Sequence, residues 1–167
     1  PFLRASRRGP QLRRSWYVLT FQIPGLAERL LSANDHHRVA AAFTSMAVDP
    51  ARFTDEDLDA YRRAAAEPGA LRAMLSYYRA YLTGGGARRQ RAIGFPPIEV
   101  PTLVIWGERD TALGRETLIG TREYAPDLTL RFIPHASHWV QQEAPEEVNA
   151  LLSAWLRGEP VPRTWEL

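Results

Sequence analysis

The chain has 167 residues, no cysteine and a formal net charge of +2. Its length suffices for one compact domain, and 45% hydrophobic with 10% aromatic residues excludes a chain that is disordered throughout. The lack of cysteine excludes disulfide bonds and thiolate sites for zinc or iron–sulfur clusters. The first residues show no secretory signal pattern, and no run reaches the roughly 18 apolar residues of a membrane span. We therefore expect a soluble, cytoplasmic protein that does not bind a membrane.

The charged residues divide the chain into two regions. Residues 1–92 contain 15 Arg and 8 acidic residues, whereas residues 93–167 contain 6 Arg and 11 acidic residues. The arginine clusters are scattered, lack the motif of a helix that reads bases, and share the chain with an acidic half. We therefore expect no nucleic-acid partner, and we place a boundary near residue 92.

Residues 1–92 have the pattern of helices joined by short breaks at Pro24-Gly25 and Pro68-Gly69. Thr54 followed by three acidic residues indicates a helix start, because its hydroxyl caps the first turn and acids favour the positive end of the helix dipole. A second helix is predicted from Pro68-Gly69 to the triple glycine at 84–86. Its apolar residues share one inward face: Leu71, Met74, Leu75, Tyr78 and Leu82.

Residues 93–167 alternate between strand and helix. Short apolar runs at 102–106 and 128–133 predict two strands of a parallel sheet, with helices at about 116–124 and at 145–156. A sheet of two strands cannot cover its own faces and edges. We therefore expect further strands upstream of Pro1, which is not an initiator residue.

An acid and a histidine follow the two predicted strands. Asp110 comes after the first strand and His138 after the second, 28 residues later, so both leave the carboxyl edge of the sheet. A carboxylate that bonds one imidazole nitrogen orients the ring to act as a base through the other. The residues alone leave two alternatives open: Asp110 as a turn cap with a structural histidine, or His135 and His138 as two metal ligands without an evident third.

Two stretches resemble the end of the α/β-hydrolase fold family: VPTLVIWGERD at 100–110 and PHASHWVQQEAPEEVN at 134–149. The resemblance implies the family order of nucleophile, acid and histidine, with Asp110 as the acid and His138 as the base. It also implies a partial α/β-hydrolase fold. Residues 1–92 would be a helical lid, and residues 93–167 the last strand–helix units of the parallel sheet.

The lid region resembles that of epoxide hydrolases in the stretches SWYVLTFQIPG at 15–25 and LSYYR at 75–79. The resemblance implies that Tyr17 and Tyr78 donate protons to the oxygen of a small apolar epoxide, with Phe21 and Trp139 lining the pocket. It implies no metal and no organic cofactor. The alternative is that the tyrosines are aromatics of the lid core, with Tyr77 and Tyr81 as competitors on the same helix, and that Phe21 and Trp139 only seal the lid.

The residues contain no strand–turn–helix elbow with a nucleophile, which in epoxide hydrolases is an aspartate. We expect the missing N-terminal half of the fold upstream of Pro1, and we expect this chain alone to be an inactive fragment. Ser137 stands where glycine is common in the family. A haloalkane or haloacid dehalogenase of the same fold, with Trp16 as a halide donor, stays an alternative. So does a non-catalytic remnant that binds a partner.

Overall fold

The computed structural model describes residues 10–83 and 85–163. Its first part is helical. Up to residue 93, the described residues form α1 (Pro10–Arg14), α2 (Tyr17–Phe21), α3 (Leu26–Met46), α4 (Asp55–Ala66), α5 (Ala70–Leu82) and α6 (Gly86–Ile93), with a 3-10 turn at Pro50–Arg52. As the sequence predicts, residues 10–83 and 85–101 contain no strand.

The long helix α3 consists of two helical parts separated by a left-handed turn. Asn34, Asp35 and His36 have φ angles of 51°, 52° and 57°. Asn, Asp and His are the non-glycine residues that enter this region most readily, so the local sequence permits the turn. The second part of α3 then packs against α4, with Val39 and Ala65 in one buried cluster.

Helix α4 begins with the cap that the sequence predicts. The hydroxyl of Thr54 accepts a hydrogen bond from the backbone N–H of Asp57 at 3.2 Å, and the Asp57 carboxylate accepts one from the backbone N–H of Thr54 at 2.9 Å. Two unpaired N–H groups of the first turn are thereby satisfied.

The apolar face predicted for α5 is buried only in part. Leu71 and Leu75 are buried and Tyr78 is half-buried, but Met74 and Leu82 are exposed. The prediction of one continuous inward stripe is therefore wrong at Met74 and Leu82. Among the described residues, the neighbouring helices cover Leu71 and Leu75 and leave Met74 and Leu82 exposed.

The basic segment after the triple glycine, for which the sequence predicts no helix, is also helical. Residues 86–93 form α6, because arginine, alanine and glutamine are good helix formers. Gly86 allows α6 to start directly against α5, since a Cβ atom at this position would lie 2.6 Å from the carbonyl oxygen of Ala80.

The sheet has the two parallel strands that the sequence predicts. β1 (Thr102–Gly107) pairs with β2 (Leu128–Ile133) in a register that runs from Thr102 opposite Leu128 to Gly107 opposite Ile133. The strands are followed by α7 (Val140–Glu143) and α8 (Pro145–Leu156). Both bounds of α8 agree with the prediction.

The connection between the strands differs from the prediction. Instead of one helix at about 116–124, it contains two short 3-10 turns, Arg115–Leu118 and Thr121–Glu123. Ile119 has extended backbone and Gly120 has a φ of 82°, which interrupts any continuous helix. The helical periodicity of this segment was therefore misleading.

The core of the second part lies between the sheet and α8. Ile133, Ala136, Ala144 and Leu151 form one buried cluster, against which Ile105, Val140, Val148 and Val161 pack. Arg131 of β2 donates through Nε to the carbonyl of Pro162 at 2.6 Å, which fastens the chain after α8 to the sheet. Over residues 10–83 and 85–163, the longest apolar helical stretch is too short or too polar to span a bilayer.

Candidate active site

The loops after β1 and β2 bring Asp110 and His138 together, as the sequence predicts. Nδ1 of His138 lies 2.9 Å from Oδ2 of Asp110. The carboxylate can only accept, so this nitrogen carries the proton and donates it. The side chain of Asp110 is only 6% exposed, while that of His138 is 27% exposed. The acid is thus enclosed, and Nε2 of the imidazole is left for proton transfer.

The other oxygen of Asp110 is also fixed. Oδ1 accepts hydrogen bonds from the backbone N–H groups of Ala112 and Leu113, both at 2.8 Å. Asp110 therefore caps the turn and also bonds the histidine, so the two interpretations of this residue are compatible. A carboxylate held on both oxygens has one orientation, and that orientation sets the plane of the imidazole.

Gly107 lets the two loops approach each other. A Cβ atom here would lie 2.0 Å from the carbonyl oxygen of Ser137 and 2.5 Å from that of Ala136. A backbone hydrogen bond joins the two loops beside Gly107: the N–H of Arg109 donates to the carbonyl of Ala136 at 3.0 Å. The glycine of the WGERD stretch is therefore required by the backbone that leads to His138.

The two tyrosines singled out in the lid region also meet. The ring centroids of Tyr17 on α2 and Tyr78 on α5 are 6.3 Å apart, and the ring of Phe21 lies 5.4 Å from the first and 5.1 Å from the second. Tyr77 is 76% exposed, so burial favours Tyr78 over its neighbour.

The environment keeps both phenols protonated. Burial, followed by the neighbouring Tyr78 and the negative charge of Asp110, raises the pKa of Tyr17 above its ordinary value near 10. Burial and Tyr77 raise the pKa of Tyr78 in the same direction. Asp110 contributes to the raised pKa of Tyr17, whereas it is not among the causes at Tyr78. Such phenols are hydrogen-bond donors at neutral pH.

Arg79 fastens the two tyrosine helices to each other. Its guanidinium bonds both oxygens of Glu28 on α3, at 2.7 and 3.0 Å, and donates through Nε to the carbonyl of Phe21 at 2.8 Å. The end of α2 is therefore held against α5. This clamp was not predicted, and the only sequence signal for it is the position of Arg79 beside Tyr78.

Phe21 and Trp139 occupy different surroundings. Phe21 contacts both tyrosine rings. Trp139 packs against Phe43 of α3 at 4.4 Å and against the ring of His138 at 4.8 Å. Its packing on Phe43 agrees with the alternative that this tryptophan seals the contact between the helical region and the sheet region.

Two buried polar side chains that the sequence did not reveal lie behind the pair. Gln11 of α1 bonds the backbone of the Asp110 loop, and Glu143 of α7 bonds the backbone of the His138 loop and that of Val48. Glu143 lies in a stretch that resembles the family, whereas Gln11 carries no local signal.

The metal interpretation of His135 and His138 finds no support in the described part of the chain. Nε2 of His135 pairs with Glu147 at 2.8 Å, while His138 pairs with Asp110. Over residues 10–83 and 85–163, no group of three metal-ligating side chains converges. The side chain of Trp16, the alternative halide donor, is 68% exposed.

A depression of about 240 Å³ opens beside Asp110, on the side of α1. Neither Tyr17 nor Tyr78 contributes to it, and most of its walls are charged or polar. It is therefore not the apolar pocket that the sequence predicts. Its lining residues are Arg14, Trp106, Glu108, Asp110, Leu113, Gly114, Arg115 and Glu116.

Comparison with known proteins identifies relatives, although no family model matches the chain. The AB hydrolase superfamily protein YfhM of Bacillus subtilis is 37% identical over 151 residues, which cover 90% of the chain and 50% of that protein. Epoxide hydrolase 1 of Caenorhabditis elegans is 35% identical over 150 residues, which cover 87% of the chain and 36% of that protein. A Bacillus megaterium epoxide hydrolase, solved in complex with an inhibitor, superposes with a TM-score of 0.77 at 28% identity. That match covers 93% of the chain and 56% of the solved one.

The helical region followed by two parallel strand units is a part of the α/β-hydrolase fold, and the chain is similar to an AB hydrolase superfamily protein over 90% of its length. Several of its relatives are named epoxide hydrolases. The chain spans half or less of the length of the two curated relatives described.

Proposed function

We propose that the protein acts as an epoxide hydrolase, which converts a small apolar epoxide into a vicinal diol through a covalent aspartyl ester. The observation that carries the proposal is the pair of half-buried phenols, Tyr17 and Tyr78, whose rings meet in the same chain that pairs Asp110 with His138. Opening an epoxide by this route needs a proton donor for the departing oxygen and a base for water. These four side chains provide both. The epoxide hydrolases among the relatives support the same reaction.

In the first step, a carboxylate oxygen of the nucleophile forms a bond to an epoxide carbon while the bond from that carbon to the epoxide oxygen breaks. The departing alkoxide takes a proton from Tyr17 or Tyr78. A phenol with a raised pKa keeps this proton until charge develops on the oxygen. The nucleophile is an aspartate of the part of the fold that these 167 residues do not include.

In the second step, Nε2 of His138 takes a proton from water, and the hydroxide attacks the ester carbonyl. The tetrahedral intermediate breaks its bond to the alcohol oxygen, which takes the proton back from the imidazolium. The nucleophile is left as a carboxylic acid, whose proton returns to the tyrosinate. Asp110 stabilises the imidazolium through Nδ1. The products are a diol and the starting enzyme.

We propose residues 1–92 as the lid and residues 93–167 as the core on which the lid sits. The packing of Trp139 on Phe43 and the bond between Val48 and Glu143 support contacts between these two regions. Phe21 would line the substrate pocket beside the tyrosines, and Trp139 would close it near His138. The substrate is then a small apolar epoxide.

The test uses the protein with any in-frame coding sequence that precedes Pro1, where we expect a strand, a tight turn and an aspartate. Excess enzyme is mixed with styrene oxide in ¹⁸O-labelled water, and the diol of the first turnover is analysed by mass. An ester route transfers an unlabelled oxygen from the aspartate, because water attacks the ester carbonyl. The 167 residues alone should form no diol above a buffer blank.

Three outcomes contradict the proposal. Labelled oxygen in the diol of the first turnover excludes the ester. Halide release from a haloalkane without diol formation identifies a dehalogenase. A start codon directly before Pro1, with no nucleophile upstream, favours a non-catalytic remnant.

A further inference from the structure

The amide of Gln11 is completely buried, and its described hydrogen bonds use both of its polar atoms. Nε2 donates to the carbonyl of Ala112 at 2.9 Å and to the hydroxyl of Ser15 at 3.0 Å, while Oε1 accepts from the N–H of Gly114 at 2.9 Å. Burying an amide is unfavourable unless such bonds are made. A side chain of α1 is therefore built into a loop about a hundred residues away.

The loop that Gln11 bonds is the one that holds the acid. The N–H of Ala112 donates to Oδ1 of Asp110, while the carbonyl of the same residue accepts from Gln11. Asp110 thus accepts from the N–H groups of Ala112 and Leu113, while Gln11 bonds the carbonyl of Ala112 and the N–H of Gly114. Gly114 lies so close to α1 that a Cβ atom on it would be 2.2 Å from a guanidinium nitrogen of Arg14.

We propose that Gln11 is a positioning residue for the acid–histidine pair. It fixes the backbone of residues 112–114, the two bonds from that backbone fix Oδ1 of Asp110, and Oδ2 is thereby aimed at Nδ1 of His138. Gln11 touches neither substrate nor reacting atoms. Its effect on turnover rests on the proposed function, whereas its effect on the hydrogen bond between Asp110 and His138 does not.

The first measurement is therefore independent of activity. The complete protein is labelled with ¹⁵N at histidine, and the low-field Nδ1 proton of His138 is observed by NMR. Gln11→Met keeps the volume of the side chain and removes its hydrogen bonds. We expect this variant to lose or broaden the resonance. Gln90→Met, at an exposed glutamine of α6, is the control and should leave it unchanged.

The second measurement separates the two chemical steps by rapid mixing with styrene oxide. Misplacing the acid impairs the histidine, which serves only ester hydrolysis. Gln11→Met should therefore slow ester hydrolysis about 10- to 100-fold and change ester formation by less than about 3-fold. A role limited to stability would lower the unfolding midpoint and leave the ratio of the two rates as it is.

A second variant keeps the proposal testable if Gln11→Met does not fold. Gln11→Glu retains an acceptor for the N–H of Gly114 but loses the donor to Ala112, so the resonance should weaken. An unchanged resonance in whichever of the two variants folds overturns the proposal, whatever happens to stability. If the complete protein forms no ester with epoxide, the proposed function fails, and the resonance alone decides the role of Gln11.

Discussion

The carboxylate of Glu143 bonds Ser137, the residue before His138, through both the backbone N–H at 2.9 Å and the hydroxyl. Its other oxygen accepts the backbone N–H of Val48 at 2.6 Å. One buried side chain therefore joins the histidine loop to the turn that follows α3. The helical region and the sheet region share this carboxylate as a common acceptor.

Replacing Glu143 with Gln should weaken this junction. The amide keeps one acceptor oxygen, but its NH₂ group then faces N–H donors, so one or more buried donors lose their partner. We expect the free energy of unfolding to fall by about 1–3 kcal/mol. Urea unfolding measures this loss, with Glu99→Gln at an exposed position as the control. Equal stability of the two variants would contradict the assigned role.

The ion pair of Glu28 and Arg79 should make the stability of the helical region depend on pH in the acidic range. Hydrogen bonds from Arg79 lower the pKa of Glu28 from 4.5 to about 2. A carboxylate whose pKa is lowered on folding contributes stability above its unfolded pKa, and this contribution is lost as the pH falls through about 2. Because the pair is partly open to solvent, the effect is modest.

Glu28→Gln tests this dependence. At pH 6 the variant should melt a few degrees below the parent protein, and the gap should narrow steadily between pH 4.5 and pH 2. Thermal unfolding monitored by circular dichroism gives both curves. A gap that is constant over this range means that the contribution of Glu28 does not depend on its charge.

The elements that the sequence predicts well are those fixed by local signals. The start of α4 follows from Thr54 and its acidic neighbours, and both strands follow from short apolar runs. The meeting of Asp110 and His138 follows from the rule that adjacent parallel strands end at one edge. Where a local signal competes with another, prediction fails: Gly120 and the extended Ile119 outweigh the helical pattern of residues 116–124.

The contacts of Gln11 and Glu143 that support the site cannot be predicted from the sequence, for a different reason. Gln11 bonds residues 101 and 103 positions away, and Glu143 bonds Val48 across 95 positions. Neither periodicity nor composition encodes such pairs, because they depend on how the helices pack on the sheet. The proximity of Tyr17 and Tyr78 depends on the packing of α2 against α5, which no local signal encodes. The two tyrosines are therefore predicted only from the family resemblance.

The pKa values of Tyr17 and Tyr78 should lie above the ordinary value of tyrosine near 10. Burial is the main cause of the raised pKa of Tyr17 and Tyr78. Their neutral forms therefore contribute stability below pH 10, and this contribution is lost as the pH rises through their folded pKa values. Ultraviolet titration of tyrosinate should show that Tyr17→Phe removes amplitude only above pH 10. Tyr77→Phe, at an exposed position, is the control, and the amplitude above pH 10 that Tyr17→Phe removes should persist in it.

The roles proposed for His138 and the tyrosines separate by kinetic step, provided that the complete protein carries its nucleophile. The histidine serves only ester hydrolysis. His138→Gln should therefore form the ester and stop, which intact-protein mass spectrometry detects as a stoichiometric increase equal to the mass of the epoxide. Digestion of the adduct then identifies the nucleophile.

Tyr17→Phe should instead slow ester formation by about 10- to 100-fold, because Tyr78 remains as a second donor. The double change of Tyr17 and Tyr78 to Phe should nearly abolish the adduct when it is combined with His138→Gln. A dehalogenase behaves otherwise, because its tyrosines donate no proton. Halide release would then persist in the double variant, and His138→Gln would form no adduct with an epoxide. That second pattern would reject the epoxide reaction and leave the fold and the contact between Asp110 and His138 in place.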